Sequence, residues 1–379
     1  APAEEENYFR RLPAGVAREL PDLRRAWLAN LEDLNVCSRK GLVEIFDSTA
    51  GAGTVLLPLG GKYQDTPAEG MVATLPLLDG ETTTATIMTC GYDPHLSEWS
   101  PFHGACYAVV EAAARVAALG GDYRLIRLTL QEYFERLGTE PARWGKPFSA
   151  LLGAFYAQKK LGIPAIGGKD SMSGTFMDLN VPPTLIAFAV SVADVRQIVS
   201  AEFKRARSKV VLLPLARDAN ELPDFAVLEK NFSSLAALQE AGLLLAAGTV
   251  KTGGLAATLS KMAFGNRIGL VFDTAAQAEN LFRADYGSLV LELAAETELE
   301  TALQGLNYQL LGVTQEKPAI QINNVEIDLE EAYASWQKPL ENIFCTVQKQ
   351  ETGGEKPPVI PDRHAGRGSA LKPRQTVAR

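Results

Sequence analysis

The densest group of chemically capable residues lies between Ile163 and Gly174, where an apolar run meets Gly167 and Gly168 and then Lys169, Asp170, Ser171 and Ser173. Paired glycines let a backbone approach a ligand closely and can aim successive amide N–H groups at phosphate oxygens. Lys169 adds a cation, Asp170 a hard oxygen donor suited to Mg²⁺, and the two serines hydroxyls that either donate or accept. The stretch reads either as a phosphate and metal corner or as a polar strand-to-turn connection with no ligand. It is not a P-loop, because too few residues separate the first glycine from the lysine and no helix signal follows directly.

Other candidates are more scattered. Lys40, beside Arg39, follows a mixed segment and precedes the small-residue turn Ser48 to Thr54; it reads either as a phosphate contact or as a solvated surface charge. Glu111 and Arg115 sit four apart on a strong helical pattern, in the favourable order for an ion pair. The alternative is that Glu111 turns inward and shares a metal ion with Asp170. His95 and His103 are too isolated to be metal ligands.

The elements that must carry these groups follow from periodicity. Strands are expected at Val55 to Leu57, Gly70 to Pro76, Thr82 to Thr89, Arg124 to Leu130 and Leu185 to Val192, and at the apolar run before Gly167. Helices are expected over Phe102 to Leu119 and Phe148 to Leu161, each closed by glycine. That order fits an α+β domain with helices on one face of a mixed sheet, spanning residues 26–205. Residues 206–345 read as a second, α/β domain. Its strands are expected at Lys209 to Pro214, Ile268 to Phe272, Gly287 to Leu293 and Tyr308 to Val313. Its helices are expected around Leu235 to Ala241, Gly254 to Phe264, Ala275 to Phe282 and Leu329 to Gln337. The acidic start, residues 1–25, reads as a linker from something upstream, and residues 346–379, rich in Gly, Pro, Lys and Arg, as a disordered tail or linker.

Composition narrows the class. A chain of 379 residues with 46% hydrophobic and 22% charged content builds ordinary cores. A net charge of −8 argues against general nucleic-acid binding, while leaving room for a local basic pocket for a phosphorylated small molecule. Cys37, Cys90, Cys106 and Cys345 lie far apart, fitting a reducing cytoplasm and no structural zinc. No apolar run is long enough to span a bilayer.

Several stretches together resemble phosphoribosylformylglycinamidine synthase, the amidotransferase of the fourth step of purine biosynthesis. In the first domain these are Asp47 to Thr54, Gly60 to Gln64, Ser100 to Gly104, the helix around Glu111 and Gly167 to Ser173. In the second they are Thr252 to Ala256, Met262 to Phe264, Leu281-Phe282 with Tyr286-Gly287, and Leu310 to Val313. The likeness covers about residues 25 to 345 and is nearest to the second synthetase half of the long single-chain bacterial form. It implies the aminoimidazole ribonucleotide synthetase-like two-domain fold, whose amino-terminal sheet pairs with a second copy to make a barrel beside ATP. It further implies ATP/ADP and Mg²⁺ as cofactors, with the phosphate contacts placed on Lys40, Gly168, Lys169, Asp170, Ser171 and Ser173. The implied reaction activates an amide oxygen by phosphoryl transfer and displaces it with ammonia. Partners would be the remaining synthetase half and a glutaminase domain or subunit, with a homodimer through the barrel edge as another arrangement. The chain alone is expected to be inactive, with no catalytic residue assigned; a scaffold with a structural nucleotide site and a stand-alone ATP-dependent enzyme are the alternatives.

The departures from the family pattern are specific. Residues 248–254 lack the acid-rich turn of related lobes and carry Lys251 instead, and Lys261 stands where relatives have a glutamate. Arg115 stands where an asparagine follows the helix glutamate, and an upstream aspartate is missing near Glu69 and Gly70. A built-in cation at Arg115 competes with Mg²⁺ for Glu111. The nearest match to a glutaminase nucleophile, Cys106, lies on the packing stripe of its helix and reads as a core thiol.

Overall fold

The computed structural model of the chain describes residues 7–273 and 277–346. The chain opens with a 3₁₀ turn at Tyr8–Arg10 and two helices, α1 (Ala14–Glu19) and α2 (Leu23–Leu31). This corrects the linker expected over residues 7–25: Tyr8, Phe9 and Val16 are buried, and apolar side chains of this size do not stay in water when a groove can take them. Phe9 packs against Tyr107 with ring centres 4.9 Å apart, and the Arg217 guanidinium lies over its ring at 4.1 Å.

The first sheet has five strands, β1 (Met71–Thr74), β2 (Thr84–Gly91), β3 (Arg127–Tyr133), β4 (Ala165–Lys169) and β5 (Thr184–Asp194). Their order is β1-β2-β5-β3-β4, antiparallel except for the parallel β3–β4 pair at the edge. The mixed sheet matches expectation. The strand expected at Val55 to Leu57 does not form; the amides of Val55 and Leu56 both reach the Val72 carbonyl, and only Thr54 makes an isolated bridge, to Ala73. Three helices accompany the sheet: α3 (Pro94–Trp99), capped by Asp93, α4 (Pro101–Ala118) and α5 (Pro141–Leu161). Ser100 caps α4 through the His103 amide, with proline at the first helical position, and Gly162 ends α5 in the left-handed region. Fourteen of the eighteen residues of α4 are buried, so it has no solvent face and belongs to a core shared by two layers.

The second sheet has seven strands: β6 (Lys209–Leu213), β7 (Leu244–Thr249), β8 (Gly269–Phe272), β9 (Leu289–Leu293), β10 (Gln309–Gln315), β11 (Ala319–Ile322) and β12 (Val325–Asp328). The order is β7-β9-β6-β10-β8-β11-β12. Its strands bury alternate residues on opposite faces. Val211, Leu213, Leu289 and Leu291 join α6 (Phe225–Glu240) and the α4 core. Val210, Val290 and Leu311 join α7 (Gly254–Phe264) and α8 (Leu329–Glu341). Helix α2 packs in this second core: the Trp27 indole N–H donates to Ser260 Oγ at 2.8 Å, and its ring meets Phe282 edge-on. Part of the helix expected at Ala275 to Phe282 lies outside the described residues; Ala278–Leu281 is a 3₁₀ turn. The tail expected beyond residue 346 also lies outside them. Among the described residues no helix is long and apolar enough to cross a membrane.

Buried Asp93 ties the three parts together. Its Oδ2 accepts from the hydroxyls of Tyr8 and Tyr286 and, at 2.8 Å, from that of Thr252, while Oδ1 caps α3 at the Leu96 amide. Burial and the neighbouring carboxylate push the Tyr8 phenol well above its ordinary range, so it remains a donor. Tyr8→Phe removes one of these charge-assisted bonds and should lower the unfolding free energy in urea by about 1–3 kcal/mol; an unchanged midpoint would show that Tyr8 does not anchor the amino-terminal segment.

Candidate functional site

The predicted residues fall in two places. The first is a cavity of about 510 Å³ between the lobes, lined by the second half of α4, the loop after β7 and one side of α7. Lys40, Glu111 and Arg115 line it. The second is the edge of the five-stranded sheet, where Gly168, Lys169 and Asp170 line a separate hollow of about 470 Å³. Glu111 and Asp170 are therefore not brought together, and the shared metal ion considered from sequence has no geometric basis within this chain.

In the interlobe cavity the ion pair is what Glu111 makes: Arg115 Nη1 lies 3.7 Å from Glu111 Oε1, and the Tyr92 amide donates to Oε2 at 3.1 Å. Glu69, on the stretch where the family's upstream aspartate is missing, is part of the same cluster. Its carboxylate accepts from the Thr249 amide and hydroxyl at 2.9 Å each, lies 3.3 Å from Arg115 Nε and takes a 3.3 Å bond from Lys251. Burial opposes ionisation of Glu69, yet Lys251 and Arg115 outweigh it and hold the carboxyl below its ordinary range. Burial prevails at Glu111, whose carboxyl is raised despite Arg115 and Lys251. Arg115 in turn donates to the backbone oxygens of Glu69 at 2.6 Å and Cys90 at 2.8 Å. Both carboxylates thus already have cations, and among the described residues no group of three His, Cys, Asp or Glu side chains could hold a metal ion. Mg²⁺ does not fit this cavity.

Lys40 is neither a free phosphate contact nor a solvated charge. Its ammonium is half-buried and bonded to Asp65 at 2.8 Å, and Asp65 also accepts from Arg267 and Tyr333. Lys261, by contrast, faces the cavity from α7 with no carboxylate partner among the described residues. Burial, then repulsion from Lys251 and Arg39, pushes its ammonium down to about 7. Cys106 is buried inside α4, and burial alone raises its thiol far above the range of a nucleophile.

The glycine corner at the sheet edge is a strand where a phosphate nest was expected. Gly167 and Gly168 are extended and pair with Thr129 and Leu130. The chain continues alongside β3, with the Ser171 amide on the Glu132 carbonyl at 3.0 Å and the Gly174 amide on the Phe134 carbonyl at 2.9 Å. Sheet pairing has claimed amides that a nest would need. A Cβ on residue 168 would lie 2.2 Å from the Leu130 carbonyl oxygen, so glycine is required there by the neighbouring strand and not by a ligand. What the corner does present is side chains. Lys169 Nζ sits 3.8 Å above the Tyr133 ring, Ser171 and Ser173 hydroxyls are 3.1 Å apart, and Asp170 is exposed.

Behind Asp170 lies Glu132, which the sequence reading did not single out. It is buried, with Oε1 lacking any hydrogen-bond partner, and it lines the same hollow. Burial and then the nearby Asp170 charge lift its carboxyl to about 7. The signal was present in the strand itself: Leu128, Leu130 and Glu132 share one face, so a carboxylate occupies a position the pattern reserves for an apolar side chain. Glu69 and Asp93 carried no such signal, because they lie in irregular segments whose neighbours come from the other lobe.

No family model matches the chain. Among curated proteins it is similar to the phosphoribosylformylglycinamidine synthase subunit PurL of Thermoplasma acidophilum, 23% identical over 87% of this chain and 46% of that protein. It is also similar to the PurL subunit of Pyrobaculum aerophilum, 27% identical over 70% of this chain and 38% of that protein. The chain spans less than half the length of these relatives. Among solved structures it resembles Thermotoga maritima PurL complexed with ATP, with a TM-score of 0.61, 16% identity, and coverage of 91% of this chain and 55% of that one. PurLQS from the same organism gives a TM-score of 0.62, 15% identity, and coverage of 90% and 56%. The fold is therefore the aminoimidazole ribonucleotide synthetase-like fold expected from the sequence.

The Glu132 titration has a definite sign. Its folded-state value near 7 exceeds the ordinary 4.5, so between those values the folded protein holds more protons than the unfolded chain and stability falls as pH rises. Glu132→Gln should therefore be more stable than the parent above about pH 7, by up to about 3 kcal/mol, with the gap closing as pH falls towards about 4.5. Urea denaturation at the two ends of that window checks it; a gap independent of pH would show that Glu132 is not held protonated by burial.

Proposed function

We propose that this chain is one synthetase half of an ATP-dependent phosphoribosylformylglycinamidine synthase assembly, acting on formylglycinamide ribonucleotide together with a second synthetase half. The observation that carries the reading is a chemically equipped corner set on an unpartnered edge. Asp170, Lys169 and buried Glu132 sit where the five-stranded sheet stops, and that sheet carries apolar side chains on both faces. One face is covered by α4 and α5; on the other, Met71, Met88 and Val192 are exposed and Ile186, Phe188 and Val190 only half covered. Ile166 on the edge strand and Trp144, Phe148 and Phe155 on α5 are also exposed. A face of this kind is disfavoured in water and fits a matching sheet.

The sister half would close a barrel over this face and complete the pocket of which the corner forms one wall. Lys169, steadied by Tyr133, would face the phosphates of ATP/ADP or of the ribonucleotide substrate, and Ser171 and Ser173 would supply hydroxyls to them. Asp170 and Glu132 give two carboxylates, fewer than Mg²⁺ requires, so a metal at this corner would take its remaining ligands from the partner and the phosphates. Chemically, positioned cations and donors stabilise charge on the transferring phosphoryl group, and ammonia from a glutaminase domain or subunit then displaces the activated oxygen. The cytoplasm is the compartment where these substrates and free thiols fit together. A second copy of this chain is the other occupant of the same face; sedimentation of the chain alone, against a mixture with the sister half, separates the two.

With formylglycinamide ribonucleotide, ATP and an ammonium salt, the chain alone should give no product, and the mixture with the missing half should turn over. In that mixture Asp170→Asn should lower kcat by about 10²-fold. Turnover by the isolated chain, or an unchanged rate in the variant, would reject the half-enzyme reading in favour of a stand-alone enzyme or a scaffold respectively.

A further inference from the structure

The interlobe cavity carries five cationic side chains against three carboxylates, and the pairing between them is uneven. Arg115 stands between Glu69 and Glu111, Lys251 is bonded to Glu69, and Lys40 is bonded to Asp65. Asp93 is engaged by three hydroxyls. Two cations remain without a carboxylate among the described residues: Lys261, and Arg39, whose one hydrogen bond goes to the Leu34 carbonyl at 3.2 Å. Both line the cavity.

An unpaired ammonium beside two other cations is an unfavourable arrangement. The arrangement becomes favourable when an anion with two or more charges enters. Around it the walls offer Lys251, on the loop between β7 and α7, and the Arg39 guanidinium. The carboxylates that would hold a divalent ion already face Arg115 and Lys251, which neutralise them as a metal would.

We propose that this cavity binds a phosphate-bearing anion without a divalent cation, with Lys261 as its principal contact and Arg115 and Lys251 supplying the charge that Mg²⁺ would otherwise bring. The depressed ammonium of Lys261 accords with this, since a bound polyanion restores its proton. The inference goes beyond the half-enzyme reading, concerns a cavity separate from the sheet-edge corner, and needs neither the sister half nor turnover. Failure of reconstitution with intact binding would reject the activity alone; metal-dependent binding with intact reconstitution would reject this inference alone.

The test is calorimetric titration of the full chain with ADP and with inorganic pyrophosphate, in EDTA and in magnesium chloride. At least one of the two should bind in EDTA, with an affinity that magnesium fails to improve. Lys261→Met should weaken that binding about tenfold or more, while the unliganded variant melts at the same temperature as the parent or higher. Lys62→Met, an exposed lysine outside the cavity, should leave binding unchanged. Binding seen only with magnesium, no binding of either probe, or full affinity in Lys261→Met would overturn the proposal. A lower melting temperature in Lys261→Met would also overturn it, since that lysine would then be a structural group and not a ligand contact.

Discussion

The buried carboxylate of Glu69 is the interaction on which the joining of the two lobes depends. It belongs to the first lobe and accepts from the amide and hydroxyl of Thr249 and the ammonium of Lys251, all in the second. A charge removed from water is tolerated only when its lone pairs are satisfied and opposite charge is near, and here both conditions are met across a seam. The position of β7 against α4 is thereby fixed by electrostatics as well as by apolar contact. Arg115 extends the same network to Glu111 and to the Cys90 carbonyl near the end of β2.

That arrangement separates two kinds of site within one fold. In the cavity the carboxylates of Glu69 and Glu111 already have their counter-charges, Arg115 and Lys251, within the chain. The sheet-edge corner has the opposite character: a buried, under-bonded Glu132, an exposed Asp170 and apolar side chains that no described residue covers. A partner protein can alter the second far more than the first, because the dielectric around Glu132 and Asp170 changes when water leaves the edge, whereas Glu69 and Glu111 are already dry.

Local signals made much of this legible. Helix α7 is bounded as read, Gly254 to Phe264, because Gly253 and Gly254 both take positive φ where the chain turns close under the Leu281 and Arg283 carbonyls. Helix α4 announced itself through its stripe and its glycine stop. Strand β7 escaped because Leu244 to Thr249 is rich in Ala and Gly and buried on both faces, which erases alternation. The β11–β12 hairpin was missed although Asn323 and Asn324, both at positive φ, form the two-residue turn such a hairpin needs. The phosphate nest was overread: two glycines before a lysine satisfy a ligand-binding pattern and a crowded parallel edge equally well, and only the neighbouring strand decides between them. Glu111 and Asp170 could not be separated by sequence, since strand order alone sends β4 to the rim and α4 to the centre.

The strand order also sets a schedule for biosynthesis. The central strand of the first sheet, Thr184 to Asp194, is the last of its five to leave the ribosome, and β2 and β3 each pair with it on opposite sides. Until residue 194 has been delivered, the earlier segments have no template between them and must wait as unzipped, sticky chain. Exposed apolar surface and unpaired strand edges of this kind are prone to aggregate, so the yield of native protein depends on how fast translation crosses that interval as well as on the final fold's stability.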